Sequence, residues 1–240
     1  MRLPTIHGVI RRRILVNFRV DPEVMQARLP PLFRPKLHHG HAIAGICLIR
    51  LESVRPRFVP AALGLSSENA AHRIAVRWNT EGGEREGVFI PRRDTGSAMN
   101  LLAGGRIFPG EQHRASFAVR EAADGIDFSM QSADGETSVR VRGRRGGDLP
   151  TSSSFRSVAE ASAFFEPGSV GYSVTSDPGR LDGLELRTFG WGVEPLQIDE
   201  VHSSYFADEA RFPRGSVTFD CALIMRNLEH EWRSAGDLYL

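Results

Sequence analysis

Residues 113–142 read HRASFAVREAADGIDFSMQSADGETSVRVR, and three runs of alternating apolar residues stand out in them. Ala115, Phe117 and Val119 alternate with polar neighbours between His113 and Glu121. Ile126, Phe128 and Met130 alternate next, and Val139 and Val141 follow with Arg140 and Arg142 interleaved. Asp124-Gly125 and Ala133-Asp134-Gly135 separate the runs. A period of two puts successive side chains on opposite faces of a strand, and Asp-Gly supplies the backbone of a tight hairpin turn. The stretch therefore predicts an antiparallel three-strand meander with one buried face.

Outward from the meander, strands are expected over 14–20, 42–51, 70–78, 87–90, 184–189 and 216–225. Helices are short and few. Asp21-Pro22-Glu23 can open one, since Asp caps, Pro suits the first helical position and acid suits the positive helix end. Pro30-Pro31 stops it. A second helix is expected over 158–165 after the polar loop Thr151-Ser152-Ser153-Ser154, and a third over 95–102, interrupted by Gly96. No 20–50-residue period recurs, which excludes solenoids and propellers. The Gly-, Arg- and Ser-rich segment from Arg142 to Ser154 reads as a loop inside one domain spanning 1–240. Strands alternating with turns argue for an antiparallel sheet or barrel, mainly β, and against a doubly wound nucleotide fold.

The 240 residues carry 30 Lys plus Arg against 29 Asp plus Glu, a formal net charge of +1. That balance gives no field for nucleic acid or an anionic membrane, so neither is expected as a partner. Lys36 is the only lysine. Any chemistry that needs a lysine amine has Lys36 or nothing. No run of about 18 apolar residues predicts a membrane span. The stretch from Met1 to Val16 lacks a signal-peptide pattern. Cys47 and Cys221 lie in apolar runs and read as two buried thiols, which points to the cytoplasm.

Motif by motif, cofactor and metal chemistry find little support. His38-His39-Gly40-His41 could contribute to a zinc site, but a structural site needs four ligands and a catalytic one three, so the segment reads as a polar turn and no metal is expected. Pro167-Gly168-Ser169-Val170-Gly171 has Pro where a nucleophile elbow begins with Gly. Gly190-Trp191-Gly192 lacks the third glycine of a dinucleotide loop, and no phosphate-loop lysine exists, so no cofactor is expected. Arg140, Arg142, Arg144 and Arg145 read as a solvated strand face. In Ala70-Ala71-His72-Arg73-Ile74-Ala75-Val76-Arg77-Trp78 the polar side chains would line a cavity if the sheet closes on itself; taken alone, the stretch reads first as a solvent face.

Residues 11–32, RRRILVNFRVDPEVMQARLPPL, run strand, Arg-Val-Asp, helix, Leu-Pro-Pro-Leu. With GHAIAGICLIRLESV, AAHRIAVRWNTEGGEREGVFIPRRDTGSAMNLLAG, EPLQIDEVHSSYFADE and GSVTFDCALIMRN, the order resembles the acetoacetate decarboxylase-like superfamily over 11–227, and within it the YqjF-like branch. The resemblance implies a closed, cone-like antiparallel β-barrel with a few short outer helices and an internal cavity for a small organic acid or apolar metabolite. It also suggests a homo-oligomer. In the decarboxylases a lysine forms a Schiff base with a β-keto acid, and a second lysine depresses its pKa.

Carried onto this chain, the resemblance puts the carboxylate-positioning arginine at Arg11, or at Arg12 or Arg13 if the register slips. It puts an acid at Glu68; beside these, His72, Arg93 and Asp94 are further substrate-binding candidates if the cavity closes around them. The lysine pair falls on RRDTGSAMNLL, with Asn100 or Met99 opposite the nucleophile, and another family acid falls near Ile43 and is not kept. Neither Asn nor Arg can form the imine. Three readings remain open: a lyase- or hydratase-type enzyme with Glu68 and Asn100 as catalytic residues, a non-catalytic protein that binds a small molecule in the same cavity, or a structural pairing of Arg11 with Glu68 at the barrel rim with no ligand.

Overall fold

Strand β1 (Ile6–Val20) is buried on both faces over most of its length and runs apolar through Ile14-Leu15-Val16, which demands protein on both sides of it. β4 (His41–Pro56), β5 (Leu65–Thr80), β6 (Gly83–Thr95) and β13 (Val217–Ser234) join it, through the pairings β13-β1-β4-β5-β6. The remaining elements are β2 (Arg34–Pro35), β3 (Leu37–His38), β7 (His113–Glu121), β8 (Gly125–Ser132), β9 (Ser138–Arg145), β10 (Val170–Val174), β11 (Arg180–Thr188), β12 (Glu194–Ser203) and β14 (Leu238–Tyr239), with helices α1 (Pro22–Gln26), α2 (Ala98–Leu102), α3 (Val158–Phe165) and α4 (Ser204–Ala207). The computed structural model describes residues 5–102 and 110–240, without the side chains of 100 and 102.

The pairings close into two rings that share the five long strands. One is completed by β10 and β11, since β10 pairs with β6 and β11 pairs back onto β13. The other is completed by β7, β8, β9 and β12, which run from β6 round to β13. The closed, mainly β architecture is the one expected, with two differences. The closure is double, and β6 pairs in parallel with both β7 and β10 in an otherwise antiparallel network. The five shared strands wall both rings, which is why side chains on both of their faces are buried over much of their length.

The meander runs as predicted, with both Asp-Gly turns in place. Phe128, Met130, Val139 and Val141 point into the larger core together with Ile14, Val16 and Phe18 of β1. On its outer face the arginines meet acids across the strands: Arg140 with Asp127, Arg142 with Glu200, Arg144 with Asp199 and Arg145 with Glu194. Asp21 caps α1 by accepting from the N–H groups of Glu23 and Val24 at 2.9 and 3.1 Å. In α3, Ser157 caps the N-terminus by accepting from the Glu160 N–H at 3.1 Å, and the Glu160 carboxylate reaches back to the Arg156 N–H, one residue before the cap, at 2.6 Å. α2 is shorter than expected, because Thr95 still belongs to β6. Strands β10 and β12 are not foreseen, since neither alternates cleanly. Both cysteines are buried and free. Among the described residues no helix is long and apolar enough to cross a membrane.

Candidate functional site

Two local slips of register decide which side chains enter the smaller ring. On β1, Ile10 is registered with Leu51 and Arg13 with Ile49, so residues three apart share a face. The extra residue is taken up at Arg11, beside Asn227, whose φ of 54° breaks the facing strand at the same level. On β6, Phe89 is registered with Ile74 but Arg92 with His72, which leaves Pro91 in a bulge where its missing N–H costs no ladder bond. Val88, Ile90 and then Arg93 consequently look into the ring.

Inside lies a cavity of about 120 Å³ to which all seven strands of the ring contribute. Its walls are mostly apolar: Ile49, Leu51, Val88, Ile90, Leu184 and Trp232. Gly171 leaves room in it, since a Cβ there would sit 3.1 Å from Ile90 Cδ1. Three guanidinium-bearing side chains, Arg13, Arg73 and Arg93, line the same small space beside the Cys47 thiol. An open groove along Gly168, Ser169 and Leu186 shares these residues and Arg13 with the cavity and leads outward.

The three arginines are held by neutral groups. Arg13 Nε donates to Cys47 Sγ at 3.3 Å, and Arg93 Nε donates to Ser173 Oγ at 2.9 Å. Arg73 donates to Asn17 Oδ1, lies 4.9 Å from the Phe165 ring centroid, and leaves its Nε without a partner. Every Asp and Glu of the chain is among the described residues, and none of them pairs with Arg13, Arg73 or Arg93. Burial lowers Arg73 and Arg93 to about 10, still charged at neutral pH. Cationic side chains gathered in an apolar chamber without a counter-ion are costly unless an anion enters.

The expected site residues divide between this cavity and other places. Arg93 lines it; Asp94 borders it, but its fully buried carboxylate turns away and accepts from Arg92 at 2.9 Å and Thr137 Oγ1 at 3.4 Å. Arg11 is outside: the bulge turns its side chain, 54% exposed, to Glu52 at 2.8 Å and Asn227 at 2.9 Å. The slip alternatives take its place, Arg13 in the cavity and Arg12 on the opposite face. Glu68 also lies on that opposite face, bound to the fully buried Arg12 at 2.6 Å, while Arg12 binds Glu121 as well. Burial pushes the Glu68 carboxyl above its ordinary value, with the Arg12 and Arg50 guanidiniums pulling it back.

His72 is buried with Tyr205 at 4.5 Å between ring centroids, on the face away from the cavity. The solvent-face reading of its strand is thereby corrected, because alternation sends His72 into one core and Arg73 into the other. The Asn100 side chain lies outside the described residues. Lys36 binds Glu86 and the Phe164 carbonyl, each at 3.0 Å. It borders a separate void of about 20 Å³ next to Arg73. Arg73, Cys47 and Trp232 were missed as site residues. The signal for Arg73 was a charged residue inside an apolar run; Cys47 and Trp232 carry no sequence signal for a cavity.

Residues 9–209 match the family model described as DUF2071, an uncharacterized conserved protein (COG2071). No curated protein matches the chain in sequence. Among solved structures, acetoacetate decarboxylase from Legionella pneumophila superposes with a TM-score of 0.62 at 11% identity, over 98% of this chain and 88% of that one. An acetoacetate decarboxylase-like enzyme from Sphingomonas wittichii RW1 gives 0.59 at 13% identity, over 99% and 92%. The enduracididine biosynthesis enzyme MppR complexed with pyruvate gives 0.59 at 13% identity, over 100% and 91%. The fold is thus acetoacetate decarboxylase-like.

Proposed function

The chain belongs to the DUF2071 family of uncharacterized conserved proteins, and on that premise we propose that it binds a small organic acid inside the seven-strand ring, with no imine chemistry. The observation that carries the reading is the convergence of Arg13, Arg73 and Arg93 on one cavity without a carboxylate to neutralise them. A carboxylate supplies the missing charge and pairs with guanidinium in a bidentate fork. The apolar wall from Ile49 to Trp232 suits a short hydrocarbon or keto tail. At about 120 Å³ the space fits a metabolite of a few carbon atoms. Pyruvate, seen in the related MppR structure, and acetoacetate are the natural first probes.

The acid–base reading through Glu68 draws less support, because that carboxylate serves Arg12 on the other side of β5. Glu68→Gln is expected to leave probe affinity unchanged in calorimetric titration, whereas Arg13→Met is expected to abolish saturable binding. A loss of binding in Glu68→Gln with Arg13→Met unaffected would reverse the assignment. Borohydride reduction in the presence of acetoacetate or pyruvate tests the imine directly. No mass adduct is expected, since the Lys36 ammonium is held by Glu86 and Phe164; a stoichiometric adduct on Lys36 would overturn this half of the reading.

A further inference from the structure

The segment read from sequence as a polar turn is indeed one. His38 pairs with His41 across a two-residue hairpin, with His39 at φ 44° and Gly40 at φ 82°, the two left-handed positions of a type I′ turn. The left-handed backbone at His39 swings its ring to the same side as that of His38. Both imidazoles then meet a residue from a distant part of the chain, Glu160 of α3. His39 Nε2 lies 3.0 Å and His38 Nε2 3.4 Å from the same carboxylate oxygen, Glu160 Oε1. All three donor atoms fall within 4.8 Å of one another.

We propose that His38, His39 and Glu160 form a binding site for a divalent transition-metal cation of the zinc class, with three protein ligands and one position open to solvent. Bonds of about 2.0–2.2 Å at tetrahedral angles set ligand atoms roughly 3.3–3.5 Å apart, so the two observed separations need only small adjustment. Two imidazoles with one carboxylate are the donor set that such cations prefer.

The groups behind the ligands are arranged for the task. His38 Nε2 makes no hydrogen bond, so the bond that His38 donates to the Ser154 backbone uses the other ring nitrogen and leaves Nε2 its lone pair. The ring is fixed by stacking on Phe155 at 4.2 Å. Glu160 is held from behind, Oε2 accepting from the Arg156 N–H while Oε1 faces the imidazoles. The open position lies on the exposed side, where the His39 side chain is 44% accessible. A bound cation would rivet the β3–β4 hairpin to α3, the helix whose Phe165 lies under Arg73 at the floor of the ring.

The test is calorimetric titration of metal-free, tag-free full-length protein with zinc chloride, followed by substitution with Co(II) and its visible spectrum. One equivalent is expected, with the absorption of a four-coordinate Co(II) centre. His39→Ala and Glu160→Gln are each expected to weaken zinc binding by about 100-fold or more, since changes merely behind a ligand already cost about 10–100-fold. His39 is exposed and its substitution removes no core contact, and a cooperative melt of the metal-free variant checks that it still folds despite alanine at a left-handed position. Absence of zinc uptake by the wild type, or equal affinity in the His39→Ala variant, would overturn the assignment.

Discussion

Arg93→Met is expected to weaken binding of a small carboxylate by about 30-fold or more and, in the same protein, to raise the melting temperature measured without ligand. The two effects share one cause. Removing one partner from a buried, hydrogen-bonded charge pair costs about 2–5 kcal/mol, the range from which that loss of affinity follows. Without ligand the same guanidinium is a liability, for it lines the cavity with the Ser173 hydroxyl as its one hydrogen-bond partner among the described residues, and burial drags it down to about 10. A methionine of similar length fills the space and removes a poorly compensated polar group, a gain of about 1–3 kcal/mol. In a domain of this size that corresponds to about 2–4 °C per kcal/mol. Titration calorimetry with pyruvate and thermal melts with and without it read both quantities. A variant that melts earlier and still binds would make Arg93 a structural strut and remove the ground for an anion site.

Acidification from pH 6.5 towards pH 4 is expected to destabilise the protein steeply, before most carboxylates titrate. Two histidines are responsible. His72 is lowered to about 3 by burial, with Arg92 and Arg211 adding to the shift. His230 is lowered to about 4 by burial, with Arg13 and His7 adding to it. Neither ring nitrogen of His72 has a hydrogen-bond partner. Both groups stay neutral in the folded chain while the unfolded chain takes up protons below about pH 6.5. Their contribution to stability is therefore complete above that pH and is lost as pH falls towards the folded values, on the order of 1.4 kcal/mol per pH unit for each. Against a typical total of about 5–15 kcal/mol the loss is large. His72→Phe, which keeps a ring against Tyr205 and Phe206, should shrink the drop between pH 7 and pH 4.5 by about 2 kcal/mol in denaturant unfolding. An unchanged drop would show that His72 does not stay neutral in the folded state.

What could be read ahead of the fold follows from local chemistry. The meander, the cap at Asp21 and the helix over 158–165 rest on period, turn residues and capping, all set within a few positions of chain. Where the candidate side chains lie was less legible, and two cases show why. Arg11, Arg12 and Arg13 are chemically identical neighbours, and a one-residue bulge sends one to solvent, one to Glu68 and one into the cavity. In His72-Arg73 both side chains are buried, because both faces of β5 are interior, whereas a strand with one wet face would have hidden only one of them. The His38-His39 pair likewise needed Glu160, which arrives from another part of the chain only when α3 packs against the hairpin.

Read as a string, the chain already specified a mainly β architecture, short helices and a single lysine, because each of these depends on composition or on contacts a few residues apart; closure of the sheet was only what the resemblance implied, since it rests on strands paired across long distances in sequence. The second ring, the two parallel pairings, the identity of the cavity arginines and the meeting of two histidines with a glutamate were decided by tertiary structure. Side-chain direction in a sheet reverses with every residue, so a single bulge redistributes a whole set of charges. Whether those charges then find a partner depends on strands distant in sequence.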